Sequence, residues 1–165
     1  TNLSDGASVA LLSSEQWAQE NNKEIQAYLV DAQVAAVDFV AGEGLLMAPA
    51  WAVAQLLKRN NLCLQDFDFY EIHEAFAAQV LCTLKAWEDP KYCKEKLGLD
   101  KPLGSIDRSK LNVVGSSLAL GHPFAATGAR IVATAAKLLK EKGKGRVLIS
   151  VCTAGGMGVT AIVER

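Results

Sequence analysis

The stretch that most constrains the fold is 112–131, Asn-Val-Val-Gly-Ser-Ser-Leu-Ala-Leu-Gly-His-Pro-Phe-Ala-Ala-Thr-Gly-Ala-Arg-Ile. A short apolar run, read as a strand over Leu111–Val114, gives way to glycine and serine. His122 then stands directly before Pro123 and a long apolar segment. Proline suits the first helical position, because its fixed φ matches the helix and its missing N–H is not needed there. A helix over His122–Lys142 is therefore expected, with lysines in its last turns where they complement the dipole. The imidazole sits at a strand-to-helix junction, where free backbone N–H groups and the positive end of the helix gather.

Length and charge narrow what such a junction can belong to. The chain has 165 residues, enough for one substantial core or one domain plus a piece of another. A net charge of −1 leaves no nucleic-acid footprint, and charges, glycines or prolines interrupt every apolar run before it reaches membrane-spanning length. No signal peptide is visible, although a chain beginning at Thr1 leaves an upstream targeting segment open. Cys63, Cys82, Cys93 and Cys152 form neither a C-x-x-C pair nor a metal spacing, and only two histidines accompany them. A disulfide framework or metal site is not expected, and a reducing compartment fits better.

Read in order, Gly6–Ser13 is a short apolar strand after an Asp-Gly turn, and Ser14 opens a short helix over Glu15–Asn22. Gln26–Val40 reads as a long strand, Ala41–Met47 as a glycine-containing loop, and Pro49 starts a helix to about Lys58. Phe67–His73 has strand composition, and Glu74–Trp87 follows as an apolar helix. A polar stretch over Asp89–Leu99 and a loop over Lys101–Lys110 lead to the central junction. After it, Arg146–Cys152 is a buried strand, Thr153–Gly158 a glycine turn and Val159–Arg165 a closing strand, antiparallel to its predecessor. Strand and helix alternate throughout, so the class is α/β with a mixed sheet. The Asp-Gly-Ala-Ser-Val-Ala-Leu-Leu near the start also echoes Gly-Met-Gly-Val-Thr-Ala-Ile-Val at the end, as a duplicated architecture would.

His73, His122 and Cys152 each fall at the end of a strand or just after it. Ligands in open α/β sheets collect outside the carboxyl ends of strands, so these three could share one edge. Beside free backbone N–H groups the Cys152 thiol would be drawn below its ordinary range, toward acid/base use. The glycines after it allow a backbone N–H to approach a substrate oxygen. The same residues also have plain readings. Cys152 can be a small buried hydrophobe before a hairpin, and His122 can be satisfied by a carbonyl. His73 can simply mark a helix boundary, with Glu74 at the positive helix end. Gly115–Gly128 does not fit a dinucleotide loop. Arg130 and Lys137–Arg146 read as solvated surface.

Four blocks in order resemble the carboxyl-terminal part of a thiolase: Leu45-Leu-Met-Ala-Pro-Ala, His73-Glu-Ala-Phe-Ala-Ala-Gln, Asn112–Arg130 with Gly121-His-Pro, and Cys152-Thr-Ala-Gly-Gly-Met-Gly. His-Glu-Ala-Phe stands where many thiolases have Asn-Glu-Ala-Phe, which is similar to the fatty-acid-oxidation branch that pairs with a hydratase/dehydrogenase subunit. The resemblance implies one half of the duplicated thiolase fold, a mixed five-stranded sheet covered by helices. Residues 1–22 would be the trailing strand and helix of an amino-terminal domain, and 23–165 the carboxyl-terminal domain.

It also implies a chemistry. A thiolase cleaves 3-ketoacyl-CoA with coenzyme A, giving acetyl-CoA and a shortened acyl-CoA; these thioesters are substrates, and no separate cofactor is expected. By motif match, His122 and a water held by His73 would stabilise the enolate oxygen, and His122 would also activate the nucleophile. Cys152 would protonate the enolate, and the Ala154 N–H would join a second oxyanion hole. Ala75 and Phe76 would lie beside the pantetheine arm. The family's nucleophilic cysteine belongs to an amino-terminal half that this chain does not contain. The expected partners are that half, a further copy of the chain and a hydratase/dehydrogenase subunit, in bacterial cytoplasm or a mitochondrion. Two other readings stay open: a non-catalytic domain binding acyl-CoA or a partner, and a biosynthetic acetoacetyl-CoA thiolase.

Overall fold

The computed structural model describes residues 3–165. Thr1 and Asn2, where the expected first segment begins, lie outside the described residues. The order is α1 (Glu15–Glu20), β1 (Tyr28–Ala36), α2 (Ala48–Asn60), β2 (Phe69–Ile72), α3 (Ala77–Glu88), α4 (Pro90–Glu95), a 3-10 turn at Arg108–Lys110, α5 (Ser117–Leu120), α6 (Phe124–Lys142), β3 (Arg146–Thr153) and β4 (Met157–Glu164). The sheet runs β1-β4-β3-β2, antiparallel except for the parallel β3/β2 pair. The α/β class, the mixed sheet and the antiparallel final hairpin match the sequence reading.

Successive residues of the central strands point to opposite faces and are buried on both, which divides the core into two layers. On one face Leu148 and Ile162 meet Val53, Leu56 and Leu57 of α2, with Val80, Leu84 and Trp87 of α3 closing the same cluster. On the other face Val147, Ile149, Ala161 and Val163 meet Ile131, Ala135 and Leu139 of α6, three residues spaced four apart on one helical stripe.

Two expected strands are not formed among the described residues. Residues 6–13 carry no strand, and Val9, Leu11 and Leu12 stand largely exposed; extended backbone without a pairing partner gains no ladder. The segment over Leu111–Val114 is reduced to a single parallel bridge from Leu111 to Tyr70, and Asn112 then turns the chain at φ 47°. The sheet therefore has four strands, with that bridge where a fifth was expected.

Two helix starts also shift. Pro123 is the residue before α6, with extended ψ of 105°, so it caps rather than begins the helix; its carbonyl accepts from the Ala126 and Thr127 N–H groups. α3 starts at Ala77 because Phe76 is extended. Glu74 does sit near a helix N-terminus, but that of α5: its carboxylate accepts from the Leu118 N–H at 3.1 Å.

Candidate active site

The site is built where β2 and β3 end. Asn112 holds the last residue of β2 as a strand would: its Oδ1 accepts from the Ile72 N–H, and its Nδ2 donates to the Ile72 carbonyl, each at 2.9 Å. Nδ2 also donates to Glu74 at 2.7 Å. The next residue, His73, donates its N–H to the Ser150 carbonyl at 2.8 Å, which anchors it to β3 two residues before Cys152. Its ring is buried, Nδ1 lies 2.9 Å from Ser117 Oγ, and Nε2 is buried with no hydrogen-bond partner among the described residues. Burial pushes this imidazole down to about 4, with the neighbouring His122 and Arg130 adding to the effect.

His122 lies ring-to-ring with His73, their centroids 4.2 Å apart, and with Phe124 at 4.7 Å. Its Nδ1 is 2.6 Å from Thr127 Oγ1, one turn into α6. Partial burial, then the Arg130 charge, hold its imidazole below the ordinary value.

Cys152 is the penultimate residue of β3, opposite Gly158. Its thiol is not drawn down as the sequence reading expected. It is 5% exposed, and burial pushes it up to about 11, against weaker pulls from its own N–H and that of Ala75. Loss of water outweighs two backbone dipoles. The pull from Ala75 connects the His73 block to Cys152.

Ala154 occupies the exposed turn of the β3–β4 hairpin, followed by Gly155 and Gly156 at φ 86° and 75°. A side chain at Gly156 would strike the Val37 carbonyl. Phe76 is exposed at the head of α3 and Ala75 half-buried behind it. The two histidine rings thus meet directly, the Cys152 thiol meets the N–H of Ala75, two residues after His73, and Phe76 and Ala154 are exposed.

Three further groups belong to this cluster. Arg130, read from sequence as solvated surface, is half-buried and donates to Ser117 Oγ at 3.1 Å and Ser116 Oγ at 3.4 Å. Asn112 and Glu74 bind each other. One signal for Arg130 was present in the sequence: it is the single charge in the run Phe124–Ala136. A lone charge on an otherwise apolar helix has to find polar partners.

Residues 23–165 match the family model described as the thiolase C-terminal domain. The chain belongs to the thiolase family. Among its relatives are proteins named 3-ketoacyl-CoA thiolase from Shewanella loihica and Alteromonas mediterranea, each 44% identical over 99% of this chain and 37% of their own length. The chain therefore spans little more than a third of the curated relatives it matches. Solved structures similar to it include an acetyl-CoA acetyltransferase from Syntrophomonas wolfei (TM-score 0.73, 30% identity, 92% of this chain and 35% of that one). Another is a thiolase from Ascaris suum in complex with coenzyme A (TM-score 0.71, 29% identity, 93% and 34%). The thiolase fold expected from the four sequence blocks is the one observed.

Proposed function

We propose that this thiolase chain supplies the acid/base and oxyanion side of a site that cleaves 3-ketoacyl-CoA with coenzyme A, as in the β-oxidation of fatty acids. The observation that carries the reading is the contact of the His73 and His122 rings beside the end of β3, where Cys152 stands. In the reaction, a thiolate attacks the keto carbon at C3 and the C2–C3 bond breaks. Its electron pair goes to C2 as the enolate of acetyl-CoA, which takes a proton to leave as acetyl-CoA. The acyl group is then passed to the thiol of a second coenzyme A.

A buried Cys152 thiol pushed up to about 11 is protonated at neutral pH, the state required of the group that protonates C2. His73 and His122 would hold the enolate oxygen, the former through a water, and His122 would take the proton of the attacking thiol. The Ala154 N–H would face the second oxyanion, and Ala75 and Phe76 the pantetheine arm.

The attacking thiol itself would come from an amino-terminal half, within the part of the relatives that this chain does not match. Cys63 and Cys82 are exposed, and Cys93 is packed against the carbonyls of Ala86 and Trp87. Residues 1–22 would be the tail of that half, and a second copy and a hydratase/dehydrogenase subunit would be further partners in a reducing compartment. The test is thiolysis of a 3-ketoacyl-CoA by this chain, by a separately produced amino-terminal half, and by the two mixed. Turnover is expected only in the mixture, and lost with Cys152→Ala. Turnover by the chain alone above the Cys152→Ala background would overturn the division of labour, and a mixture that binds but does not turn over would overturn the activity.

A further inference from the structure

We infer that Arg130 and Ser117 are positioning residues for His73, and that together they fix its ring in the tautomer carrying the proton on Nε2. This rests on the reading that His73 serves the thiolase site. The tautomer follows from a count of hydrogens. A guanidinium has donors and no acceptor, so at the 3.1 Å contact Ser117 Oγ accepts from Arg130. A serine hydroxyl owns one hydrogen. Its one other side-chain partner among the described residues is His73 Nδ1, at 2.9 Å.

Were Nδ1 protonated, both neighbours would donate to Ser117 Oγ, and the hydroxyl hydrogen would be left without an acceptor in a residue 5% exposed. An unmade bond of that kind costs about 1–3 kcal/mol. With Ser117 donating to Nδ1, every polar atom along the Arg130–Ser117–His73 contact is paired, and only His73 Nε2, unpartnered in either tautomer, is left over; the proton of the neutral ring then stands on Nε2.

The groups around the ring support a neutral form. His122 lies against it, Arg130 is one hydroxyl away, and its own chain neighbour Glu74 is engaged with Asn112 and Leu118. Burial disfavours a charged imidazole further. His122 is not locked in the same way. Its partner, Thr127 Oγ1, also lies 3.3 Å from the Pro123 carbonyl, so that hydroxyl can accept from Nδ1 or donate to it. The pair thus combines one ring fixed as a donor with one free to take or give a proton. The His73 Nε2–H is buried without an acceptor among the described residues, which is costly by itself and useful where a ligand or water oxygen will stand.

The test is long-range proton–nitrogen NMR on the ¹⁵N-histidine-labelled chain at neutral pH, in which two imidazoles give two assignable patterns. Expected for His73 are an unprotonated Nδ1 and a protonated Nε2. Ser117→Ala and Arg130→Met should each raise the minor tautomer about tenfold, the effect of an interaction near 1.4 kcal/mol, while Ser117→Thr, which keeps the hydroxyl, should retain the parent pattern. A protonated Nδ1 in the parent chain overturns the inference, as does a pattern unchanged in both Ser117→Ala and Arg130→Met. If either variant fails to fold, the parent and Ser117→Thr spectra still decide the tautomer. The readout uses no turnover, so failed thiolysis with the expected spectrum rejects the activity alone, and an Nδ1–H ring in an active enzyme rejects the positioning alone.

Discussion

Glu71 carries a buried carboxyl whose two oxygens have no hydrogen-bond partner among the described residues. It lies two residues along β2 from Phe69, hence on the α6 side of the sheet. Burial pushes it up to about 7 against the pull of Arg130, with Glu74 adding to the rise. The unfolded chain gives up this proton near 4.5, so between 4.5 and 7 the folded state binds more protons and stability falls as pH rises through that window. Above it the loss is complete, on the order of 1–3 kcal/mol. Glu71→Gln should therefore match the parent chain at pH 4 and exceed it increasingly up to pH 7, with no further gain beyond. Urea unfolding at several pH values measures the difference, and a constant offset would refute the assignment. The cysteines give a second test at this scale. At pH 8 iodoacetamide should label exposed Cys63 and Cys82 and spare buried Cys93 and Cys152, as peptide mass mapping would show. Rapid labelling of Cys152 would mean that its thiol is drawn down after all.

At the scale of elements, two glycines should respond to the same substitution with opposite signs. Gly158 in β4 faces the start of α2: an added Cβ would lie 2.6 Å from the Pro49 backbone nitrogen and 3.0 Å from the Ala48 carbonyl carbon. Backbone cannot yield as a side-chain tip does, so Gly158→Ala should cost about 1–3 kcal/mol. Gly128 lies inside α6 with nothing within 4 Å of its Cβ position. Gly128→Ala should add roughly 0.5–1 kcal/mol by lowering the entropy lost on helix formation. Urea midpoints of the two variants measure both. Neither sign is readable from the sequence, where both positions are a glycine beside apolar residues. The strands and helices themselves were readable, because the short, largely apolar run of Val147–Cys152 and the four-residue spacing in α6 are local properties. What failed was non-local. Leu111–Val114 has strand composition, but Asn112 turns away after one bridge to use its side chain on Ile72. Gly6–Ser13 has the pattern of a strand and finds no partner. In the site, His73, His122 and Cys152 were legible through their positions at element ends. Ser117 was not, and Arg130 offered only its isolation among uncharged residues, since their role exists only once α5 and α6 bring them to His73.

For the whole molecule, the question is what the exposed apolar surface is for. On the α6 side of the sheet, Val34 of β1 pairs with Val159 of β4, which pairs with Val151 of β3, and Val34 is 65% exposed. Phe124 and Met157 are also substantially exposed. The first turns of α6 carry no charge on their outer side, because Arg130 is turned toward the serines. A helix apolar all round belongs in an interior, and contiguous apolar surface of this kind marks an interface. The amino-terminal half proposed to bring the nucleophile would be its occupant. Val34→Glu separates that idea from a fold that merely tolerates exposure. On the chain alone it changes a surface residue and should shift stability by no more than about 0.5 kcal/mol. In the mixture it would bury an unpaired charge, so association with the amino-terminal half should weaken at least about tenfold and recovered thiolysis should fall with it. Titration calorimetry and the thiolysis assay read the two effects. A Val34→Glu chain that recombines as tightly as the parent would put the interface elsewhere, and with it the direction from which the nucleophile reaches His122.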